Sequence, residues 1–173
     1  MRGRDAKKLS MTVLGVDPGL AATGYAVLEA SDGDLRVHAC GCARSRSDRP
    51  VEARLRTIYD ELARVFTHWR PSLTVLEGLY AEYGFPRTAL LMGHVRGVIC
   101  LASDQHGARV MEISPAEVKR ALTGSGRASK EQIRRAVTRM LSLASPPRSE
   151  HVCDALALAL VGAAREGVNV SGG

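Results

Sequence analysis

At 173 residues and 45% apolar content the chain is long enough for one well-buried core and close to the usual size of a single domain. No run approaches the ~18 to 20 uninterrupted apolar residues of a membrane span, and the basic start MRGRDAKKLS lacks the apolar segment of a secretion signal, so a soluble cytoplasmic protein is expected. The formal charge of +6 is uneven: residues 1–8 carry +3, residues 9–108 sum to about zero, and residues 109–148 hold nine Lys or Arg against three Glu. Such a basic stretch is either a solvated helical face or a seat for a polyanion such as nucleic acid.

In chain order, TVLGVD (12–17) reads as a buried strand, followed by Pro18-Gly19 and a second apolar run, GYAVLEA. Asp-Pro-Gly suits a β-turn on backbone grounds alone, because Pro presets φ and Gly accepts positive φ. Asp32-Gly33 marks a hairpin, and LRVHACGCA alternates Leu35, Val37 and Ala39 against Arg36, His38 and Cys40, as a half-buried strand does. Val51, Leu55, Ile58, Leu62, Val65 and Trp69 recur at steps of three and four, predicting a helix that stops before Pro71. LTVLE (73–77) is another short strand, and an aromatic loop, GLYAEYGFPR, leads to an apolar helix from about Thr88 to Gln105. Gly93 and Gly97 within it would let another backbone come close, from the sheet or from a partner chain.

VMEIS (110–114) predicts a strand, with Pro115 at the first turn of a helix carrying Lys119 and Arg120. After the loop TGSGRASK, Ser129 caps a helix KEQIRRAVTRMLSL, and Ser149 caps EHVCDALALALVGAA, apolar nearly all round and therefore buried. The four cysteines form no C-x-x-C pair and read as reduced, mostly buried thiols. The pattern predicts an α/β mixed sheet flanked by helices on both faces, in one domain over 11–166, with a flexible basic extension at 1–10 and a flexible tail at 167–173.

Two buried strands end in a carboxylate, Asp17 and Glu77, at the edge where open α/β sheets bind ligands. Asp154 lies where the last helix turns apolar, and His151, three residues earlier, shares its face. Each alone is an ordinary strand-end or helix-start charge. Together they would repel and raise one another's pKa, a conflict that a divalent cation removes. An oxygen-rich set with one imidazole suits Mg²⁺ or Mn²⁺, and two such ions can flank a phosphodiester.

The runs VLGVDPGLAATGYAVLE, TVLEGLYAEYG, LMGHVRGVI, ISPAEVKRALTGSGRASKEQI and HVCDALALAL, in this order over about residues 12–165, resemble the RuvC family of Holliday-junction resolvases. The resemblance implies a ribonuclease H-like fold and a homodimer that nicks two like-polarity strands of a four-way DNA junction during recombination and repair. A branch-migration motor is an implied further partner, and the place of action is the cytoplasm, on the nucleoid.

By the same resemblance Asp17, Glu77, His151 and Asp154 are the metal-binding residues, and Lys119 and Lys130 lie near the scissile phosphate. Tyr80 is the junction-stacking residue, with Tyr83 sharing that loop, and Arg120 and Arg127 extend the DNA-binding surface. Position 151 is Asp in many relatives and His here. The ten residues before Met11 have no counterpart in the family. Two rival readings are a non-catalytic junction-binding module, which gives no reason for the acids, and an actin- or hexokinase-like phosphatase, which needs a second phosphate loop and a duplicated domain.

Overall fold

The computed structural model describes residues 10–31, 33–78 and 86–170. Five strands form one sheet: β1 (Ser10–Asp17), β2 (Ala22–Ser31), β3 (Asp34–Arg44), β4 (Leu73–Glu77) and β5 (Arg109–Ile113), in the order β3-β2-β1-β4-β5. The first three run antiparallel through short connections, with Gly33 at φ +79° closing the second hairpin. Asp32, its expected partner in that turn, lies outside the described residues. β4 and β5 join parallel to β1, each reached by a helical crossover: α1 (Val51–Trp69) and α2 (Pro86–Gln105). Three further helices follow, α3 (Pro115–Thr123), α4 (Lys130–Met140) and α5 (Glu150–Arg165).

Successive strand residues point to opposite faces, so the sheet carries two cores. Val13, Leu28 and Val75 pack under α3, α4 and α5, with Leu156 and Leu160 of α5 above them. Leu14, Val16, Val27 and Leu76 face α1 and α2, meeting Leu62, Phe66 and Ile99. Helices on both faces of a mixed sheet were expected, and that is the arrangement found. Among the described residues no helix is long and apolar enough to cross a membrane.

The helix starts follow the sequence signals. Ser114 accepts the Glu117 N–H at 3.3 Å with Pro115 in the first turn, and Ser129 and Gln132 form a reciprocal capping box. The helix after Ser129 was expected to run to Leu143 but ends at Met140. Ser142 turns left-handed at φ +47°, and the Leu143 N–H reaches back to the Thr138 carbonyl at 2.9 Å, which closes the helix end.

Three other expectations are corrected. In β3 the alternation does not hold along the strand, because Val27 pairs with Ala39 while Leu28 pairs with Val37, leaving His38 as a bulge. Leu35 and Val37 therefore join the α5 core, whereas Ala39 and Ala43 join the α1 core. His38 instead stacks on Trp69 at 4.7 Å between ring centroids and bonds Glu29 at 2.7 Å. Of the four cysteines only Cys153 is buried, and Cys40 is exposed, because the edge strand β3 has no further strand to cover it. At the end of the chain Val168 is packed into the α5 core and the Asn169 carbonyl accepts the Gly33 N–H at 3.4 Å, so packing continues past the expected boundary at residue 166.

α5 lies unusually close to the sheet. A Cβ on Gly15 of β1 would stand 1.9 Å from the Ala155 carbonyl oxygen, and one on Gly24 of β2 would stand 2.2 Å from the His151 carbonyl oxygen. Both obstacles are helix backbone, which no rotamer change can clear. Gly15→Ala is therefore expected to lift α5 off β1 and to destabilise the fold by about 1–3 kcal/mol or more. A fall of roughly 2–12 °C in the thermal midpoint would register it, and an unchanged midpoint would show that α5 does not make this approach.

Candidate active site

Asp17 ends β1 and Glu77 ends β4, and the parallel register Val16 to Leu76 places these two strand ends side by side. The next turn is held rigid: the buried Thr23 hydroxyl donates to the Gly19 carbonyl at 2.8 Å, and Ser45 bonds the Leu20 carbonyl. Above the strand ends lies the first turn of α5, which Ser149 caps through the Val152 N–H. Gly24 lets the helix settle low enough for His151 Nδ1 to meet Asp17 Oδ2 at 2.6 Å. Asp17, Glu77 and Asp154 line one cleft of about 300 Å³, together with Lys119 from α3 and Lys130 from α4, over an apolar floor of Val118, Ile133 and Ala157.

Burial raises the pKa of all three carboxyls. For Asp17, desolvation outweighs the opposing hydrogen bond and charge of His151 and the charge of Lys130. Glu77 is raised by desolvation and then by the charges of Asp17 and Asp154, against the pull of Lys119 and Arg96. Asp154 is pushed up to about 6, by desolvation first and the Asp17 charge second. Three desolvated acids, two of them raised further by the Asp17 charge, form a site that gains from positive charge.

The two lysines supply part of it. Lys130 is the first residue of α4, where a cation opposes the helix dipole, so its position is not explained by helix stability. Glu150 holds it, with Nζ 2.6 Å from Oε2, and this pairing raises the pKa of Lys130 and lowers that of Glu150. Lys119 lies in mid-helix, on the face of α3 that lines the cleft.

Of the residues expected in the site, Asp17, Glu77, Asp154, Lys119 and Lys130 share the cleft, and His151 reaches it through Asp17. Arg120 and Arg127 are exposed and do not line it. Tyr80 and Tyr83 lie outside the described residues. As the side chains stand, no three His, Cys, Asp or Glu among the described residues are gathered tightly enough to grip an ion. The donor chemistry nonetheless fits a hard divalent cation: oxygens dominate, the carboxyls are destabilised by one another, and with Nδ1 on Asp17 the open nitrogen of His151 is Nε2.

Sequence reasoning missed Arg96. It is buried in α2, where one guanidinium nitrogen donates to the Glu77 carbonyl and the other meets Glu112 of β5 at 2.5 Å. The Gly78 N–H adds a bond to the Ile113 carbonyl at 2.8 Å, so the peptide group that follows Glu77 is held at both its C=O and its N–H. The only signal was an Arg inside an otherwise apolar helix face, which a buried partner must justify.

Residues 13–162 match the family model described as crossover junction endodeoxyribonuclease RuvC. The chain is 45% identical over 150 residues to a protein of that name from Rhodopirellula baltica, covering 87% of this chain and 84% of that one. It is 41% identical to another from Thermomicrobium roseum, covering 87% and 91%. In structure it is similar to Thermus thermophilus RuvC in complex with a Holliday junction substrate, with a TM-score of 0.85, 32% identity and coverage of 91% and 96%. A yeast mitochondrial Holliday junction resolvase, at TM-score 0.59 and 11% identity, shares the fold.

The raised Asp154 pKa has a measurable sign. Between an ordinary value of 3.8 and about 6, the folded chain keeps a proton that the unfolded chain has released, so stability falls as pH rises through that window. In chelator, Asp154→Asn is expected to be no more stable than the parent below about pH 3.8, to gain on it up to about pH 6, and to hold that gain above. Denaturant midpoints across pH would test this, and a difference independent of pH would refute the buried-carboxylate assignment.

Proposed function

The chain belongs to the RuvC family of crossover junction endodeoxyribonucleases, and we propose that its chemistry is metal-dependent hydrolysis at the cleft between β1, β4 and α5. It is a junction-resolving endonuclease with a ribonuclease H-like fold, and nucleases of this family depend on metal ions. The observation that carries the assignment of the site is the convergence of Asp17, Glu77 and Asp154, with Lys119 and Lys130, on a single cleft.

In this reading Asp17, Glu77, Asp154 and His151 hold two ions, Mg²⁺ or Mn²⁺. Bound there, the ions supply an activated water and charge for the leaving oxygen. The protein's own groups do the positioning. Asp17, anchored by the Thr23-locked turn behind it and by His151, presents a fixed carboxylate at the centre of the cleft. Arg96 fixes the backbone of Glu77 from behind. Lys119 and Lys130 reach the cleft from two helices and neutralise the phosphate that enters between them. Tyr80 and Tyr83 follow Glu77 by three and six residues and are assigned to stack on unpaired bases at the junction centre. Arg120 and Arg127, exposed on and after α3, are assigned to more distant phosphates.

The homodimer is assigned to α2. Leu90 is 67% exposed and Leu101 53%, and between them Gly93 and Gly97 present open space on the same helix face, with nothing within 4 Å of a built Cβ. These glycines were expected to admit another backbone, and among the described residues none approaches. A stripe of exposed leucines and glycines four apart is suited to the matching helix of a second copy. Two copies would present two clefts to a four-way junction, as symmetric nicking requires. A branch-migration motor as partner, and action on the nucleoid, rest on the family likeness alone.

Two experiments test the reading. With a labelled mobile junction and Mg²⁺ or Mn²⁺, Asp17→Asn is expected to lose roughly 100-fold or more, at or beyond the upper end of what loss of an outer-shell partner costs, while binding the junction normally in chelator. Nicking near the parent rate would refute the metal site. Leu90→Glu with Leu101→Glu is expected to shift the protein from dimer to monomer in sedimentation, and a dimer that persists would place the interface elsewhere.

A further inference from the structure

A second cavity, of about 200 Å³, opens beside the acid cleft where α4 meets the start of α5. It shares Lys130 and Asp154 with that cleft and adds Arg134 and Arg148. Three acids also line it: Glu150 is bound to Lys130 at 2.6 Å, Glu131 lies 3.9 Å from Arg135, and Asp154 belongs to the acid set of the neighbouring cleft. Arg134 and Arg148 make no ion pair among the described residues, and the Nε of Arg134 is buried without a hydrogen-bond partner. The Nε has no exposed surface for a ligand to reach, so it is the outer guanidinium nitrogens of Arg134, on the cavity wall, that are open to an acceptor from a polyanion. Two guanidinium groups and an ammonium around a small cavity match one tetrahedral phosphate, whose oxygens accept from planar guanidinium forks.

We propose that this cavity is a phosphate subsite for the DNA backbone: resting on the hydrolysis assigned to the acid cleft, it holds the linkage adjacent to the scissile one on the same strand. Lys130, shared by both cavities, then lies between consecutive phosphates, and Arg134 and Arg148 set the direction in which the strand leaves the metal site. Phosphate contacts of this kind fix register and carry no base information, so the subsite positions the strand without choosing a sequence.

The test is a binding cycle in chelator, by fluorescence anisotropy, on a four-way junction carrying a single neutral methylphosphonate. The modification is placed in turn at each of the two linkages flanking the nicked one, whose position is mapped first with the parent protein and Mn²⁺. The parent is expected to lose about tenfold in affinity at one of the two linkages. Arg134→Gln combined with Arg148→Gln is expected to show that loss once per protomer on unmodified DNA and no further loss on the modified junction, with a log-log salt slope shallower by roughly four for the dimer. Arg148→Gln alone, at an exposed position where folding is not at stake, is expected to give a slope change of roughly two, about one for each protomer. If the modification costs the variants as much as the parent, or if the salt slopes are unchanged, the cavity holds no phosphate. A parent protein that binds the junction but never nicks it overturns the hydrolytic reading instead.

Discussion

The site rests on a contact between backbones. α5 crosses β1 and β2 so closely that Gly15 and Gly24 have no room for a Cβ, and at the far end of the helix Gly162 leaves space for the Val75 side chain. This approach sets the height of His151 and Asp154 above the end of β1, and therefore their distance from Asp17. Side-chain packing elsewhere in the α5 core can be redistributed among Leu, Ala and Val without moving the helix. A backbone contact cannot be redistributed. The sheet holds Asp17 and Glu77 by ladder hydrogen bonds, and the glycines hold the helix to the sheet, so the three acids share one rigid frame.

Within that frame the electrostatics are unfavourable by construction. Each carboxyl is desolvated, and the charge of Asp17 raises the pKa of both Glu77 and Asp154 further. The surrounding groups limit the conflict without ending it. His151 takes one oxygen of Asp17, Arg96 draws on Glu77 from behind, and the lysines face the cleft from α3 and α4. A site that departs from local rules in this way is what a functional centre looks like inside an otherwise consistent fold. The departure is affordable because it is confined to one edge of the sheet, with two full hydrophobic cores behind it.

The parts that sequence reasoning captured were those written in local pattern. Strand-end acids, serine caps before helices and the 3.6-residue period of α1 each announce themselves within a few residues. What escaped depends on partners distant in sequence. The bulge at His38 reverses the facing of β3 because Trp69 and Glu29 give the imidazole a place on the α1 side. Arg96 gained its meaning from Glu77 and Glu112, 19 and 16 residues away. Arg134 and Arg148 were counted only as members of a basic stretch, since nothing local separates a solvated arginine from one facing a cavity. Val168 resembled a loose end until the core beneath it was visible.

The division of the interior into two cores has a further consequence for how the molecule opens. The layer of α1 and α2 is bonded to the rest mainly through one face of the sheet, whereas α5 touches all five strands and both helices that carry the lysines. Local opening of a protein proceeds in cooperative units that follow such boundaries. In amide hydrogen exchange, α1 and α2 can therefore be released as one unit while α5, β1 and β4 keep their protection. The catalytic geometry would then survive excursions of the opposite layer, and a partner seated on α2 would slow exchange there without altering the spacing of the acids.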